Sequence, residues 1–315
     1  MIINTLSWYV PETIIPNSYF YEQAGLTEEE IVSKSGIKER RRAKADENTN
    51  TMGIEAVKKA LPHLSFPIEE VDLIVGATYS PYDLGGTLAH AIQKEFNIDN
   101  AIALTIDSAC SSFVNSLEAI EGYFAINKAT KVLLVASEHN SAYSNDDDKN
   151  SGFLFGDGAA ALFITKESLS SNDIEILDIH TTGLGNVGKS VDAVYVKPTR
   201  DGIAMPFGRD VFQYACKYIT LETENILKNN DVLLNDLNYF IPHQANARIT
   251  DFVAKKLKLD DSQVLSNIDR FGNTGCASTP IVLAQNLDKL KPNDTIVLSV
   301  FGGGYSSGAV LLRKL

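Results

Sequence analysis

The sequence predicts a layered α/β protein built from two similar halves. Short apolar segments of strand length alternate with segments whose apolar residues recur at helical spacing, a pattern typical of sheets covered by helices. The halves also match in order, because Asp72 and Asn238, like Cys110 and Cys276, lie 166 residues apart. A repeat of this length indicates a duplicated domain rather than a solenoid, although any two α/β halves share some similarity.

In the first half, buried strands alternate with amphipathic helices. The strands are predicted at Val71–Ala77, Ala101–Ile106, Lys131–Ala136 and Gly158–Thr165, and the helices at Leu88–Phe96 and Ser112–Phe124. Residues 167–173 are mostly polar and of types that favour turns, so the boundary between the halves is predicted there. The predicted domains are therefore residues 1–170 and 171–315.

The second half repeats this order. Its strands are predicted at Leu237–Pro242, Gln263–Ile268, Thr295–Phe301 and Gly308–Arg313, and its helices at Ala247–Leu259 and Pro280–Leu287. Residues 140–151 and 183–208 interrupt the alternation and are predicted to be loops or insertions.

Composition narrows the classes of function. Of the 315 residues, 44% are hydrophobic and 22% are charged, as in ordinary globular proteins, and the formal net charge of −12 argues against general binding to nucleic acid or anionic membranes. The three cysteines are too few for a disulfide scaffold, and the chain shows neither a signal peptide nor the roughly 18 consecutive apolar residues of a membrane span. We therefore expect a cytoplasmic protein that neither inserts into membranes nor binds nucleic acid.

Cys110 is the first candidate for a catalytic residue. It lies between the strand Ala101–Ile106 and the helix Ser112–Phe124, so it is expected at or near the N-terminus of that helix. Helix N–H groups favour a thiolate and lower the thiol pKa, which makes a cysteine nucleophilic. The alternative is a small buried cysteine that only packs.

His243 and Asn273 are the candidates in the second half. His243 follows the strand Leu237–Pro242, and Asn273 stands in a glycine-containing turn at the position that corresponds to the Cys110 turn. Because related elements of a duplicated pair meet at one interface, the three residues are expected to converge. The turn Phe301–Gly304 adds backbone N–H groups that, with that of Cys110, predict an oxyanion hole. The alternatives are a hydrogen-bonded structural histidine and an ordinary helix cap.

Two other motifs suggest different chemistry. The glycines of 183–188 match G-x-G-x-x-G, but the residues that follow do not predict the helix that a dinucleotide-binding unit requires. The chain order of Cys110, His243 and Asn273 is that of papain-like proteases, but the residues around Cys110 lack that family's signature. Neither alternative fits the chain as well as a duplicated α/β enzyme with a nucleophilic thiol.

Together, these segments resemble the β-ketoacyl-acyl-carrier-protein synthase III group of thiolase-fold condensing enzymes. The resemblance runs nearly end to end and rests on Ser35–Arg41, Ser108–Cys110, Phe155–Ala159, Gly208–Phe212, Pro242–Asn246, Gly272–Gly275 and Phe301–Gly304. It implies a thiolase-like fold in which duplicated α/β domains form a layered α-β-α-β-α sandwich.

The resemblance also implies a reaction. Cys110 would receive an acyl group, and His243 and Asn273 would promote decarboxylation of a malonyl thioester. The N–H groups of Cys110 and Gly303 would form the oxyanion hole. The expected function is a decarboxylative Claisen condensation of the acyl group with a malonyl-type or β-ketoacyl thioester on acyl carrier protein, in fatty acid or related lipid or pigment biosynthesis. The expected substrates are acyl-CoA or acyl carrier protein thioesters and malonyl carrier protein, with no metal and no bound cofactor.

Further positions follow from the same resemblance. Phe212 corresponds to a residue in the wall of the acyl pocket. The family often has a bulky residue that crosses the dimer and caps this pocket, and the segment at that position here is Leu84, Gly85, Gly86 and Thr87. A basic helix face is expected to dock the acyl carrier protein, through Arg248, Lys255 and Lys256. We therefore expect a homodimer whose partner is acyl carrier protein.

The chain departs from the family at several positions. Glu30 and Lys34 stand where the family usually has a Trp and an Arg that stack on the adenine of coenzyme A, which predicts weaker binding of that donor. Gly85 and Gly86 predict a roomier acyl site. We expect a specialised relative that uses longer or carrier-bound acyl groups. A non-decarboxylating or cyclising condensation of the dialkylresorcinol type, or a catalytically silent partner subunit, are the alternatives, although an intact catalytic set argues against silence.

Overall fold

The structure is a computed structural model that describes residues 1–197 and 202–315. Its strands are β1 Ile2–Tyr9, β2 Thr13–Pro16, β3 Glu39–Arg42, β4 Leu73–Ala77, β5 Ile102–Ile106, β6 Lys131–Glu138, β7 Gly158–Thr165, β8 Ile174–Gly183, β9 Tyr195–Lys197, β10 Gly202–Ala204, β11 Tyr239–Pro242, β12 Thr295–Gly302 and β13 Ser306–Lys314. Its α-helices are α1 Tyr19–Ala24, α2 Glu28–Ser35, α3 Thr49–Ala60, α4 Leu88–Glu95, α5 Ser112–Ala125, α6 Gly208–Asn229, α7 Ala247–Leu257, α8 Ile268–Phe271 and α9 Ser278–Gln285.

The main sheet is arranged symmetrically about its central strands. Its strand order is β5-β4-β6-β7-β1-β8-β13-β12-β11. Outward from β1, β7 is antiparallel, β6 is antiparallel to β7, and β4 and β5 are parallel to β6. Outward from β8, β13 is antiparallel to β8, β12 is antiparallel to β13, and β11 is parallel to β12. The strands β8-β13-β12-β11 of the second half thus repeat the order and directions of β1-β7-β6-β4 in the first, and β5 has no counterpart in the sheet. This agrees with a duplication; the domain boundary itself stays a prediction.

One predicted strand is wrong. Residues 263–268 do not pair along a sheet edge, apart from a single bridge between Val264 and Phe240. The polar side chains of the segment bond to other partners: Gln263 closes a local turn on Asp260, and Ser266 donates to the side chain of Gln244, 22 residues away, at 2.5 Å. Such side-chain hydrogen bonds compete with a sheet ladder and replace it here.

Five layers follow from the way the helices cover the sheet. The helices α3 and α4 pack on the outer face of the first half, α6 and α7 pack on the outer face of the second, and α5 and α9 contact strands of both halves. The largest buried cluster lies in this central layer, where Phe113 and Leu117 of α5 meet Ile281 of α9. This confirms the predicted α-β-α-β-α sandwich, and it places the N-terminal ends of α5 and α9 beside the site described below.

Most of the predicted elements match the structure within two residues, but the predicted loop 183–208 contains more than a loop. The short strands β9 and β10 pair antiparallel within it. Among the described residues, none of the helices combines the length and apolar character that a membrane crossing requires. In the same residues, no group of three or more His, Cys, Asp or Glu side chains is arranged to hold a metal ion.

Candidate active site

Cys110 lies in a tight turn between β5 and α5. As predicted, it directly precedes the helix, whose N-cap is Ser111. The residue before it, Ala109, has a left-handed backbone (φ 51°), and the Asp107 carboxylate supports this turn by accepting the Ala109 N–H at 2.9 Å. Ser112 bridges the turn, because its hydroxyl accepts from Ser108 N–H at 2.8 Å and donates to the Ala109 carbonyl at 2.6 Å. The thiol is thus presented at a fixed elbow.

The glycine turn after β12 approaches this elbow closely. A Cβ on Gly302 would lie 2.9 Å from the Ser111 nitrogen and 3.1 Å from the Cys110 nitrogen, so only glycine fits there. The approach aims the Gly303 N–H at the Cys110 sulphur, which the N–H of Cys110 itself also faces. Two backbone donors therefore converge beside the thiol, as an oxyanion hole requires.

His243 follows β11 and is buried. Its main-chain N–H donates to the Ser299 carbonyl of β12 at 2.8 Å, and its Nδ1 lies 2.8 Å from the Ser278 hydroxyl. That hydroxyl also accepts the Gln244 N–H at 3.4 Å, and Nδ1 is the acceptor that its own proton reaches among the described residues. We therefore assign the imidazole proton to Nε2. Burial lowers the pKa of His243 to about 4, which keeps the ring neutral at physiological pH. The result is a neutral N–H donor at Nε2.

Asn273 is fixed by main-chain and side-chain bonds. Its N–H donates to the Leu154 carbonyl at 2.8 Å, and its carbonyl accepts from Gly156 N–H at 3.0 Å and from the Asn140 side chain at 3.2 Å. The side-chain oxygen accepts the Gly275 N–H at 2.9 Å. The amide NH₂ group is therefore the part of the side chain that is left to donate to a ligand.

These side chains share one space. Cys110, His243 and Asn273, together with Gly303, line a cavity of about 440 Å³, which we call the inner cavity. The sequence therefore predicted correctly that the three residues converge. The remaining wall is largely apolar and includes Phe155, Val194, Ile203, Met205, Ala215 and Ile219. Such a wall suits a hydrocarbon chain attached to the thiol.

The predicted low pKa of the Cys110 thiol is wrong. Burial raises the pKa of this thiol to about 12, and the negative charge of Glu138 raises it further. The Gly303 N–H, the Tyr79 hydroxyl and the N–H of Cys110 itself act in the opposite direction but do not outweigh burial. The sequence places Cys110 at a helix N-terminus but does not show how deeply the elbow lies or that a carboxylate stands behind it.

Glu138 was not predicted as part of the site. It ends the apolar strand β6, is fully buried, and accepts hydrogen bonds from the Thr78 and Ser80 hydroxyls and from three main-chain N–H groups, one of them that of Cys276 at 3.3 Å. Burial raises its pKa to about 7. Glu138 joins the segment after β4 to the turn that carries Asn273. The sequence signal for Glu138 is weak: a charged residue ends a mostly apolar strand.

A second space continues outward from the inner cavity. This outer cavity, of about 530 Å³, shares Asn273 and four apolar residues with the inner one. Its cations are Lys34, Lys149, Arg209 and Arg248, and none of the described residues that line it is acidic. The outer cavity is therefore suited to an anionic group.

Some predicted residues lie elsewhere than expected. Phe212 lines the outer cavity beside the Arg248 guanidinium, not the wall of the inner cavity, because the start of α6 presents it outward. Lys255 and Lys256 are exposed on α7 about two turns beyond Arg248, so neither reaches the outer cavity. Glu30 is held at the start of α2 by a capping box with Thr27.

The segment predicted to cap the acyl pocket is on the surface of the single chain. Leu84 is 81% exposed, and the N–H groups of Gly85 and Gly86 bond to the Asp83 carboxylate. Neither these residues nor Thr87 line the inner or the outer cavity. Since the predicted role depends on a second chain, it stays a prediction.

The chain matches known family descriptions in both halves. Residues 104–185 match the family described as 3-Oxoacyl-[acyl-carrier-protein (ACP)] synthase III, and residues 227–314 match its C-terminal part. The chain is 33% identical to the beta-ketoacyl-[acyl-carrier-protein] synthase III of Campylobacter jejuni, over 99% of this chain and 97% of that protein. It is also 33% identical to the protein of the same name from Clostridium perfringens, over 97% and 96%.

Solved structures have the same fold. The 3-oxoacyl-[acyl-carrier-protein] synthase III of Aquifex aeolicus superposes with a TM-score of 0.92 at 31% identity, covering 99% of both chains. The synthase III of Thermus thermophilus gives 0.92 at 29% identity, covering 99% of this chain and 98% of that one. A priming β-ketosynthase of the R1128 polyketide pathway gives 0.90 at 26% identity, covering 99% and 95%.

Proposed function

The chain belongs to the 3-oxoacyl-[acyl-carrier-protein] synthase III family of acyltransferases, and we propose that Cys110, His243 and Asn273 catalyse its reaction. It is an acyl-thioester condensing enzyme of the fatty acid biosynthesis type. The observation that carries our assignment is the inner cavity, which joins a cysteine elbow, two backbone N–H groups and two neutral side-chain donors. Each group suits one step of a decarboxylative condensation.

The first step is transfer of an acyl group to Cys110. The thiolate attacks the carbonyl carbon of an acyl thioester, and the oxyanion that forms is held by the N–H groups of Cys110 and Gly303. The intermediate collapses with loss of the donor thiolate, which takes up the proton that Cys110 gave up. The apolar wall of the inner cavity then holds the acyl chain.

The second step is decarboxylation of a malonyl thioester. As carbon dioxide leaves, negative charge develops on the thioester oxygen. His243 Nε2–H and the Asn273 NH₂ group donate to that oxygen. A neutral imidazole suits this role because it stabilises an enolate without readily protonating it, and burial keeps His243 neutral.

The third step joins the two groups. The enolate carbon attacks the carbonyl carbon of acyl-Cys110, the oxyanion returns to the same backbone donors, and the carbon–sulphur bond breaks. The products are a β-ketoacyl thioester and free Cys110. None of these steps calls for a metal or a redox cofactor, because the thioesters supply the activation.

We further propose that acyl carrier protein, rather than coenzyme A, is the preferred acyl donor. The cations of the outer cavity suit the phosphate of a phosphopantetheine arm, which both donors carry. Glu30, however, is engaged in a helix cap and offers no flat face to adenine. Arg248 would contact the carrier at the mouth, with Lys255 and Lys256 further along α7.

The quaternary structure and the location are also proposals. A homodimer would bring the Leu84–Thr87 segment of one chain towards the acyl site of the other, as the family resemblance implies. A cytoplasmic location rests on the cysteine content and on the metabolic substrates.

The donor preference is tested by loading. Intact protein mass is recorded after incubation with matched acyl-CoA and acyl carrier protein donors of several chain lengths. We expect faster loading from the carrier, and Arg248→Ala should slow it roughly five-fold, while Arg313→Ala, a matched exposed cation on β13, leaves it unchanged. Faster loading from short acyl-CoA donors would contradict the carrier preference, and no adduct from any donor would contradict the function.

A further inference from the structure

Tyr79 lies between β4 and α4, and its side chain lines the inner cavity beside Cys110. Its main-chain N–H donates to a Glu138 carboxylate oxygen at 3.3 Å, which fixes the residue to the floor of the site. Its hydroxyl is buried, has the Asn140 side chain as a polar neighbour, and forms no hydrogen bond of regular geometry with the described residues. Leaving a buried donor without a partner costs free energy. Such a group in a catalytic cavity is available to a reacting atom.

The turn of the second half is shaped around this hydroxyl. Gly275 has a left-handed backbone (φ 57°), and a Cβ there would lie 2.7 Å from the Tyr79 hydroxyl oxygen and 2.8 Å from its ring. The Glu138 side chain is equally close, at 2.8 Å, so any other residue at position 275 would displace the phenol, the Glu138 side chain or both. The hydroxyl thus occupies the space between the Cys110 elbow and the Asn273 turn.

In this position the hydroxyl lines the same cavity as the Cys110 thiol. The Tyr79 hydroxyl lowers the pKa of that thiol, as do the N–H groups of Gly303 and Cys110. Burial, followed by the charges of Cys110 and Glu138, raises the pKa of Tyr79 itself well above its ordinary value, so the phenol stays protonated and remains a donor.

We propose that the Tyr79 hydroxyl is a further catalytic donor that stabilises the Cys110 thiolate. The proposal rests on the proposed acyl transfer to Cys110. In acyl transfer, the donation stabilises the thiolate that attacks. In condensation, the carbon–sulphur bond of the tetrahedral intermediate breaks, its electron pair stays on the sulphur, and Tyr79 donates to that sulphur while keeping its own proton.

This role differs from that of the oxyanion hole. In the free enzyme all three groups lower the pKa of the thiol. Once an acyl carbonyl is bound, the N–H groups of Cys110 and Gly303 stabilise charge on its oxygen, whereas Tyr79 stabilises charge on sulphur. In the acyl-enzyme the sulphur is a neutral thioester and a poor acceptor. The phenol therefore stabilises the charged states on either side of the acyl-enzyme more than the acyl-enzyme itself, as a catalytic interaction must.

The test is the pH dependence of Cys110 alkylation by iodoacetamide in Tyr79→Phe, followed by mass spectrometry of the Cys110 peptide. We expect the profile to move about one pH unit higher and acyl loading to slow about ten-fold, the effect of one hydrogen bond to a charged group. The matched control is Tyr143→Phe, which removes a hydroxyl that donates to the Pro81 carbonyl outside the inner cavity. Its profile should equal that of the wild type.

An unchanged or faster alkylation profile in Tyr79→Phe would overturn the proposal. Alkylation needs no acyl substrate, so a wild type that loads no acyl group would contradict the proposed function while this comparison still decides the role of Tyr79. If Tyr79→Phe does not fold, 3-fluorotyrosine at position 79 keeps the hydroxyl and strengthens it as a donor. The profile should then move to lower pH, and a profile identical to the wild type's would overturn the proposal.

Discussion

The Cys110 turn and the Asn273 turn each lead into a helix of the central layer, α5 and α9, yet their surroundings differ. The Cys110 turn must carry negative charge on sulphur and oxygen in front of a buried carboxylate, Glu138, and the pKa of its thiol is raised. The Asn273 turn, with His243 beside it, offers only neutral donors. Turns at matching positions of the two halves therefore differ in electrostatic role: the Cys110 turn carries negative charge, and the Asn273 turn supplies neutral hydrogen-bond donors.

This difference teaches where each half is sensitive. On the Cys110 side, the chemistry depends on donors that offset burial and the charge of Glu138, so losing one donor shifts a titration. On the Asn273 side, the chemistry depends on the direction and neutrality of two N–H donors, so losing one donor leaves acyl loading intact and slows decarboxylation. The predictions below test this division.

The largest effect is expected for Cys110→Ala, which removes the nucleophile. No acyl adduct should form with any donor, as measured by intact mass. Cys216→Ala is the matched control, because Cys216 is a buried cysteine of α6 that packs in a core cluster and does not line the inner cavity. Loading of Cys110→Ala at the wild-type level would show that another residue carries the acyl group.

A smaller but still large effect is expected for Asn273→Ala. Loss of one donor to the enolate should slow condensation by about 10²- to 10³-fold while acyl loading stays near the wild-type rate. The readouts are single-turnover product formation and intact mass. Asn286→Ala, which alters an asparagine near the end of α9 outside the cavity, should change neither. Equal losses of loading and condensation in Asn273→Ala would break the division between the two turns.

The smallest effect concerns the pH dependence of stability. His243 has a folded-state pKa of about 4 against roughly 6.5 when unfolded. The unfolded chain therefore binds more protons between these values, and the contribution of His243 to the free energy of unfolding is complete above pH 6.5 and falls as pH drops towards 4. The difference amounts to about 3 kcal/mol.

This contribution is isolated by comparison with His243→Gln. Urea unfolding of the two proteins between pH 4 and pH 7 should show a steeper loss of wild-type stability towards low pH. The raised pKa of Glu138 acts in the opposite direction but is present in both proteins, so it largely cancels. Parallel stability curves would mean that His243 is not held neutral by burial.

Local patterns in the sequence were sufficient for seven of the nine strands of the main sheet, but not for the central strands β1 and β8, which were not among the predicted strands. They were also sufficient for the helices of the central layer and for the convergence of Cys110 with His243 and Asn273. Apolar periodicity and turn glycines are local signals, and the matching order of the halves relates distant segments. The exception among the predicted strands, Gln263–Ile268, shows the limit, because polar side chains there bond to partners that the apolar pattern does not reveal.

The remaining features of the site depend on contacts between distant segments. Tyr79 lines the inner cavity, whereas Glu138 and Ser278 act behind it through hydrogen bonds to the residues that do or to their turns. The raised thiol pKa follows from such contacts, which explains why the helix N-terminus alone predicted the wrong direction. The role of Phe212 in the acyl pocket stays a prediction, because its sequence position does not show that the start of α6 presents it to the outer cavity.

The division of labour is tested most directly by carbon dioxide release from malonyl carrier protein in Cys110→Ala and Asn273→Ala. The account predicts that Cys110→Ala still releases carbon dioxide while forming no β-ketoacyl product, because the donors to the enolate are intact. It predicts that Asn273→Ala loses most of this release while still loading an acyl group. Equal loss of carbon dioxide release in both variants would contradict the account.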